Sequence, residues 1–345
     1  MKSLHIKARA PSRIGIGGGG SDLPAFFEEH NGAVLNVAID LYSYTKMSRS
    51  KEGHTRIVSH DWEMTRDITE LALEFSGNKK TNVDIVKAAM AECELDPKDG
   101  YELLIHSMAP KNSGLAGSSA LMVSLLAAMF NLAGKPMMNR ESFAKTANHI
   151  EREVLRRAGG CQDQYASVFG GFNFIEFSKG RIKPSPLRLQ EDLVSELHSS
   201  MMLFETPFQR SEQAHVIETK KEEDIRSGGE SVERIKRIRD LAFGMKDSVV
   251  SGDLQELGRQ LHESWEEKRK LPGVAAPSIE KLYRIARENG AYGGKLCGAG
   301  GGGFLFVVCD VSDRQRITNA LAKHDSRMVN FNFDFEGMVT WRTTY

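Results

Sequence analysis

The sequence has no net charge and few cysteines. Its 345 residues include 46 basic and 46 acidic side chains, so neither a polybasic nucleic-acid-binding tail nor an acidic tail is expected. The four cysteines form no Cys-x-x-Cys pair and are too sparse for the disulfide scaffold of a small secreted protein; they are Cys93, Cys161, Cys297 and Cys309. These absences predict a protein that has no nucleic-acid partner and resides in a reducing cytoplasm.

Long hydrophobic runs are absent too. The longest apolar stretch runs from Leu121 to Phe130 and includes Ser124, whereas a membrane-spanning helix needs about 20 apolar residues. The charged start of the chain lacks the apolar core of a signal peptide. We therefore expect no membrane partner and interpret the stretch as a buried helix.

The commonest nucleotide-binding signature is missing as well. Nowhere does Gly-x-x-x-x-Gly-Lys-Ser/Thr occur, which excludes a P-loop. The segment Gly15 to Gly20 does match Gly-x-Gly-x-x-Gly, and Asp40 follows at the distance typical of a dinucleotide-binding fingerprint. Pro11 interrupts the strand that should precede this loop, and the segment after it is short for a crossover helix. A dinucleotide site is therefore disfavoured.

Strand-like and helix-like segments are mixed along the chain without strict alternation. Ala33 to Ile39 and Leu41 to Met47 are enriched in β-formers and predict paired strands, whereas Arg140 to Arg157 carries the apolar stripe of a surface helix. A turn at Ser178-Lys179-Gly180, followed by two prolines, is typical of a linker. The sequence predicts an α+β fold with two domains, residues 1–185 and 186–345.

Small residues precede the apolar helix that is predicted from about Ser118. In the segment Ala109 to Ala120, glycines 114 and 117 leave the backbone N–H groups accessible at a helix N-terminus, which is an anion site. The hydroxyls of Ser118 and Ser119 can add donors or hold a divalent cation. The alternative is a simple serine N-cap with no ligand.

Two further segments have a composition that suggests a site. Asp163 follows the glycine pair at 159–160 and is a candidate base, or alternatively the N-cap of the next turn. The carboxylate of Glu151 lies 12 positions earlier, on a helix that could face the same cleft. The loop Gly293 to Gly303 is so rich in glycine that something must approach its backbone closely.

Three of these segments, in this order, resemble the signature motifs of the GHMP small-molecule kinases. They are Arg9 to Arg13 with Ser21-Asp22, Pro110 to Ala120, and Lys295 to Gly303. The resemblance spans nearly the whole chain. It implies an N-terminal domain with a left-handed βαβ unit, a ferredoxin-like C-terminal domain, and an active site between them.

The resemblance also implies roles for individual residues. ATP is expected to bind the second motif, at Pro110, Lys111, Ser113, Gly114, Leu115, Ala116, Gly117, Ser118 and Ser119. Mg²⁺ is expected at Ser118 and Glu151, with Ser119 and Glu153 left open as the alternatives. Asp163 and Arg13 are the expected catalytic pair. Substrate contacts are expected from Arg13, Gly19, Ser21, Asp22, Arg210, Gly300 and Gly301.

Within the family, the segments around Ser12, Asp22, Asp40 and Asp163 are most similar to sugar kinases that act on D-glycero-D-manno-heptose 7-phosphate. The implied reaction is phosphorylation of the anomeric hydroxyl by ATP, giving the 1,7-bisphosphate for nucleotide-activated heptose synthesis. Fucokinase-type domains are similar too, so a kinase of an unphosphorylated sugar is an alternative. A non-catalytic sugar and nucleotide sensor of the same fold is a second, although the presence of Asp163 argues against it. The sequence does not predict the oligomeric state.

Overall fold

Two β-sheets with helices packed against them carry the fold. The computed structural model describes residues 4–61, 63–73, 82–208, 219, 222–274, 276–298 and 300–344. Its strands are β1 (Leu4–Gly17), β2 (Gly32–Arg49), β3 (Thr55–Ser59), β4 (Met64–Ile68), β5 (Tyr101–Ser107), β6 (Phe172–Ser178), β7 (Arg181–Leu187), β8 (Met201–Glu205), β9 (Ala291–Leu296), β10 (Phe304–Cys309), β11 (Arg327–Val329) and β12 (Val339–Thr344).

The helices connect these strands and cover one or both faces of the sheets. They are α1 (Pro24–His30), α2 (Asn82–Glu92), α3 (Gly117–Leu132), α4 (Arg140–His149), α5 (Gln162–Phe169), α6 (Glu191–Ser200), α7 (Glu230–Ser251), α8 (Leu254–Lys268), α9 (Pro277–Glu288) and α10 (Arg314–Ala322), with a π-helical turn at Ile150–Val154. None of them, in the part of the chain that the structure describes, is long and apolar enough to span a bilayer.

The first sheet is built on the two long strands β1 and β2, which pair antiparallel along most of their length. Its main path runs β12-β1-β2-β5-β3-β4, and β6 and β7 branch from β2. The first part of β2 pairs with β6 and the second part with β5, so one strand links two halves of the sheet. Strands β3 and β5 are parallel neighbours with α2 between them, which makes a βαβ unit.

Helix α3 is apolar on all sides and lies inside the first domain. Twelve of its residues are buried, from Ser119 to Phe130, because it packs on β1 and β2 and also against α2, α4 and α5. The buried helix expected over Leu121 to Phe130 is therefore present. This burial fixes the helix axis, so its N-terminus at Gly117 is held at one place beside β1.

The second sheet has the strand order β11-β8-β10-β9, and its pairs are antiparallel. Numbered within this domain, the order is 4-1-3-2 with helices after the first and third strands, which is the ferredoxin-like arrangement that the resemblance implies. Helix α8 packs one apolar face on this domain through Leu257, Leu261 and Trp265, all fully buried. The α+β class is confirmed.

The C-terminal strand does not stay with the second domain. After β11 the chain crosses back, and β12 pairs with β1 at the edge of the first sheet. Phe333 packs edge-on against Phe172 on the way, with ring centroids 4.8 Å apart. A single division at residues 185 and 186 therefore misses that Val339–Thr344 belongs to the first sheet, which only long-range strand pairing could reveal.

Asp334 anchors this returning segment. The side chain is 4% exposed, and its Oδ2 accepts a hydrogen bond of 2.7 Å from the hydroxyl of Tyr42 while Oδ1 accepts one of 2.6 Å from the Gly337 N–H. Burial and the adjacent Asp334 carboxylate both raise the pKa of Tyr42, so this phenol remains a donor at neutral pH.

We expect Asp334→Ala to lower the free energy of unfolding by about 1.5 to 3 kcal/mol, the range for hydrogen bonds to a charged group. Urea denaturation measures the change. Asp247→Ala is the control, because the Asp247 side chain is 75% exposed and pairs with Lys246 on the surface; it should cost at most about 0.5 kcal/mol. Equal losses in the two variants would contradict an anchoring role.

Candidate active site

Arg13 belongs to the first motif segment and bonds both to the second motif segment and to Asp163. Its main-chain N–H donates to the carbonyl of Leu115 at 2.9 Å, and its guanidinium Nη1 donates to the carbonyl of Gly114 at 2.7 Å. Its Nε donates to Oδ1 of Asp163 at 2.9 Å, and Nη2 lies 2.6 Å from the same oxygen. Because Arg13 is only 7% exposed, this ion pair is poorly screened by water.

Asp163 lies in the first turn of α5, and its carboxylate faces Arg13. Burial raises the pKa of Asp163 above its ordinary value, the nearby Asp22 carboxylate adds to the rise, and Arg13 opposes it. The result is a carboxylate held in one orientation whose affinity for a proton is greater than that of a surface aspartate.

Asp22 lies on the loop that follows the first glycine run, and it is 3% exposed. Its Oδ1 accepts a hydrogen bond from the Gly20 N–H at 2.9 Å, and its Oδ2 accepts one from Nε2 of Gln162 at 2.9 Å. A Cβ at Gly160 would lie 1.8 Å from Oδ2, so only glycine permits this approach. Asp22 is thus fixed next to the Arg13 and Asp163 pair.

Ser21, which was expected to contact a substrate, turns its hydroxyl toward the protein interior. Its hydroxyl is fully buried, lies 2.8 Å from the Gly18 carbonyl and 2.9 Å from the Ala33 carbonyl, and accepts a hydrogen bond from the Ala33 N–H. With these partners the side chain holds the loop closed on β2. Gly19, in contrast, borders open space and remains a candidate for contact with a ligand.

The second motif forms a tight loop that ends at the N-terminus of α3. Ala116 precedes the helix with φ of 66° and has no side chain that can cap the first turn, which leaves the helix N–H groups for a ligand. A Cβ at Gly114 would lie 2.7 Å from the Cys297 carbonyl, so this loop presses against the C-terminal domain. The arrangement is suited to binding an anion.

The other residues expected in the nucleotide site divide into two groups. Pro110 and Lys111 are exposed at the entrance of the loop. Ser113 and Leu115 are buried, and the Ser113 hydroxyl accepts a hydrogen bond from the Leu115 N–H at 3.3 Å. Only the backbone of these two residues can serve a ligand, since their side chains stabilise the loop.

The structure brings Ser118 and Glu151 together and separates them from Glu153. The Ser118 hydroxyl donates to Oε1 of the buried Glu151 at 3.3 Å. Glu153 is exposed and pairs with His149 instead. Ser119 is buried, and its hydroxyl accepts a hydrogen bond from Gln164 at 3.3 Å, so of the two serines it is Ser118 that is exposed beside Glu151.

This hydroxyl and carboxylate fit a hard divalent cation. Gln164 donates from Nε2 to Oε2 of Glu151 at 2.5 Å and thereby orients the carboxylate. Mg²⁺ takes few protein oxygens and completes its shell with water and phosphate, so one carboxylate and one hydroxyl suffice. Within the described residues no group of three His, Cys, Asp or Glu side chains is placed to hold a metal ion.

Arg157 was not anticipated from the sequence. Its Nη1 donates to the Ser118 hydroxyl at 2.6 Å, and burial lowers the pKa of the guanidinium while Glu151 opposes that shift. Gln162 and Gln164 were not anticipated either, although both flank Asp163 in the sequence. The signal for them in the sequence was the pattern Gln-Asp-Gln in the predicted turn that contains Asp163.

The third motif closes the cleft from the C-terminal domain. Lys268 donates from Nζ to the carbonyls of Leu296 at 2.9 Å and Gly298 at 2.6 Å. Gly300 is buried against Val274, where a Cβ would lie 2.6 Å from the Val274 Cα. Of the two glycines that were expected to contact a substrate, Gly300 is therefore buried and Gly301 is partly exposed. Arg210 lies outside the described residues.

We expect Ala116→Gly to leave the free energy of unfolding unchanged or raise it by up to about 1 kcal/mol. Glycine removes the strain of the left-handed conformation of Ala116, and this gain equals or exceeds the cost of glycine's greater entropy in the unfolded chain. Ala120→Gly, inside the same helix, should instead lower it by about 1 kcal/mol. Thermal and urea unfolding compare the two, and an equal loss in both would show that Ala116 is unstrained.

Comparison with known proteins places this geometry in a family. The GHMP kinases N terminal domain matches residues 82–171, and the GHMP kinases C terminal domain matches residues 245–327. The chain is 34% identical to a D-glycero-alpha-D-manno-heptose 7-phosphate kinase of Campylobacter jejuni, over 98% of this chain and 99% of that one. It is 25% identical to an L-fucokinase/L-fucose-1-P guanylyltransferase of Bacteroides fragilis, over 98% of this chain but 38% of that longer protein.

A solved structure of a sugar kinase also matches this chain along nearly its full length. A D-glycero-D-manno-heptose 1-phosphate kinase from Bacteroides thetaiotaomicron superposes with a TM-score of 0.79 at 28% identity, covering 97% of this chain and 98% of its own. Both domains and the segments that form the cleft are thus shared with kinases along nearly the full length of the chain. The chain belongs to the GHMP kinase family.

Proposed function

We propose that this protein transfers the γ-phosphoryl group of ATP to the anomeric hydroxyl of D-glycero-D-manno-heptose 7-phosphate. The observation that carries the proposal is the Asp163 and Arg13 pair held beside the uncapped N-terminus of α3, because it places a proton acceptor next to a phosphate site. The heptose is favoured by the Campylobacter jejuni relative, which is 34% identical over 98% of the chain.

Nucleotide phosphates would bind the loop at Gly114 to Ser119. With no net charge on the protein, the positive potential must be local, and it comes from the free N–H groups of α3 and from Arg13 and Arg157. Ser118 and Glu151 would hold Mg²⁺, which when bound neutralises phosphate charge. Phosphoryl transfer depends mainly on such alignment and charge neutralisation.

Asp163 would accept the proton of the anomeric hydroxyl. The sugar oxygen forms its bond to the γ-phosphorus while the bond from that phosphorus to the bridging oxygen breaks and ADP leaves. The raised pKa of Asp163 makes it a better acceptor near neutral pH than an ordinary aspartate. Arg13 fixes the carboxylate and places positive charge where the phosphoryl group passes.

Asp22 would hold the sugar. Its Oδ2 already accepts two hydrogen bonds from Gln162, whereas its Oδ1 accepts one, from the Gly20 N–H; because a carboxylate oxygen can accept a second bond, Oδ1 is the atom available to a sugar hydroxyl. Because Gly20 and Gln162 fix its position, the sugar hydroxyls meet a carboxylate that does not need to reorganise on binding.

A panel of acceptors tests the function. Heptose 7-phosphate, the free heptose, L-fucose and D-galactose are supplied with ATP and Mg²⁺, and ADP release is measured. We expect heptose 7-phosphate to give the highest kcat/KM. Preference for L-fucose would favour the fucokinase-like alternative, to which the 25% identical Bacteroides fragilis relative points. No turnover with any sugar, despite nucleotide binding, would favour a sensor.

Asp163→Asn keeps the shape of the side chain but removes its basicity. We expect kcat to fall by roughly 10² to 10⁴ with little change in ADP affinity. Since the base must be deprotonated, kcat/KM of the wild type should rise with pH through the raised pKa of Asp163, and the variant should lack this rise. Asp247→Asn is the exposed control. A kcat within about threefold of wild type, with chemistry rate-limiting, would contradict the role.

Ser118→Ala and Ser119→Ala distinguish the two candidate metal ligands. The first should raise the Mg²⁺ concentration needed for half-maximal activity, because it removes the exposed oxygen beside Glu151. The second should have a smaller effect, since Ser119 is turned toward Gln164. Titration of activity with Mg²⁺ at saturating ATP measures both, and the opposite ranking would show that Ser119 is the ligand.

A further inference from the structure

Gln162 carries a buried acceptor without a partner. The side chain is 6% exposed, and its Oε1 has no hydrogen-bond partner among the described residues. The orientation of the amide is fixed by Asp22: Nε2 donates to the carboxylate at 2.9 Å, whereas the flipped amide would face it with an oxygen. An unpaired buried carbonyl oxygen is costly, so a donor is expected to reach it.

An open space lies next to this oxygen, above Gly15. A Cβ on Gly15 would be 3.5 Å from Oε1 of Gln162 and 4.0 Å from Nε of Arg13, with no other described atom beyond the chain neighbours within 4 Å. Gly15 is partly exposed and is not among the glycines with positive φ. Neither backbone conformation nor crowding therefore requires glycine here, and its missing side chain leaves a notch.

Asn36 adds a second unpaired group near the notch. It is the cross-strand partner of Gly15, so its side chain leaves the sheet on the same face. It is fully buried, and neither its Nδ2 nor its Oδ1 has a partner within the described chain. Of these groups it is Oε1 of Gln162 that borders the opening, and a hydroxyl group can supply the donor that this buried acceptor lacks.

We propose that the Gly15 notch receives the sugar hydroxyl next to the reacting one, and that this hydroxyl donates to Oε1 of Gln162. The inference rests on the proposed function, in which the reacting hydroxyl faces Asp163. Arg13 bonds Asp163 and also borders the notch, so the two positions are adjacent, as vicinal hydroxyls are on a sugar ring. For an anomeric kinase the hydroxyl is the one on C2.

Gly15→Ala tests the notch by filling it with a methyl group, which meets Gln162 at ordinary van der Waals distance. The substrates are heptose 7-phosphate and its 2-deoxy analogue. We expect the wild type to prefer the hydroxylated sugar by at least tenfold in kcat/KM. In the variant, kcat/KM for that sugar should fall at least tenfold, that for the deoxy sugar less than threefold, and the ADP dissociation constant should not change.

Gly15→Ser gives a readout that needs no turnover. Its hydroxyl can reach Oε1 of Gln162 and satisfy the acceptor from within, so the ligand-free variant should melt above Gly15→Ala while still losing the sugar preference. Gly53→Ala is the matched control, because a Cβ there also meets open space but far along the chain from the site; neither its melting temperature nor its sugar preference should change.

The outcomes separate the two proposals. If Gly15→Ala keeps the wild-type preference for the hydroxylated sugar, the notch does not receive this hydroxyl, and the inference fails while the function stands. If the wild type phosphorylates a sugar other than the heptose, the proposed substrate fails, and that sugar and its 2-deoxy analogue decide the notch. If it phosphorylates none, calorimetric binding of the same heptose pair decides it, and equal affinities overturn the inference.

Discussion

The bonds of one arginine organise the cleft. Arg13 contributes its main-chain N–H and its guanidinium to three partners that are far from it in the sequence, Leu115, Gly114 and Asp163. A buried cation must be paired, so the loop that precedes α3 and helix α5 have to come to β1 for the arginine to be accommodated. The same contacts place Asp163 beside the N-terminus of α3, so the constraint that stabilises the cleft also sets the arrangement on which the proposed mechanism depends.

Glycine makes the remaining contacts of the cleft possible because the approaching partners are main-chain or carboxylate atoms. Gly114 lies against the Cys297 carbonyl, Gly303 lies against the Ser113 carbonyl, and Gly160 lies against the Asp22 carboxylate, each closer than a Cβ would allow. Two of these contacts tie the N-terminal domain to the C-terminal domain. Glycine loses more conformational entropy on folding than other residues do. At these positions that cost is offset by close contacts between loops that a Cβ would prevent.

The charges of the site are balanced locally, in keeping with a protein of zero net charge. On the proposed nucleotide side, Glu151 is oriented by Gln164 and lies near Ser118 and Arg157. On the proposed sugar side, Asp22 is oriented by Gly20 and Gln162. In both places a neutral amide fixes a buried carboxylate, which leaves the carboxylate charge available to a cation or a hydroxyl.

The sequence alone determined the α+β class, the buried helix that starts near Ser118 and the three glycine-rich motifs, because burial periodicity and glycine placement are local signals. It did not show that Ser21 turns inward, that Glu151 rather than Glu153 meets Ser118, that Val339–Thr344 returns to the first sheet, or that Gln162 faces the space above Gly15. Those are facts about partners many residues away. Only tertiary packing decides which polar atom a side chain meets, since one local pattern is compatible with several such partners.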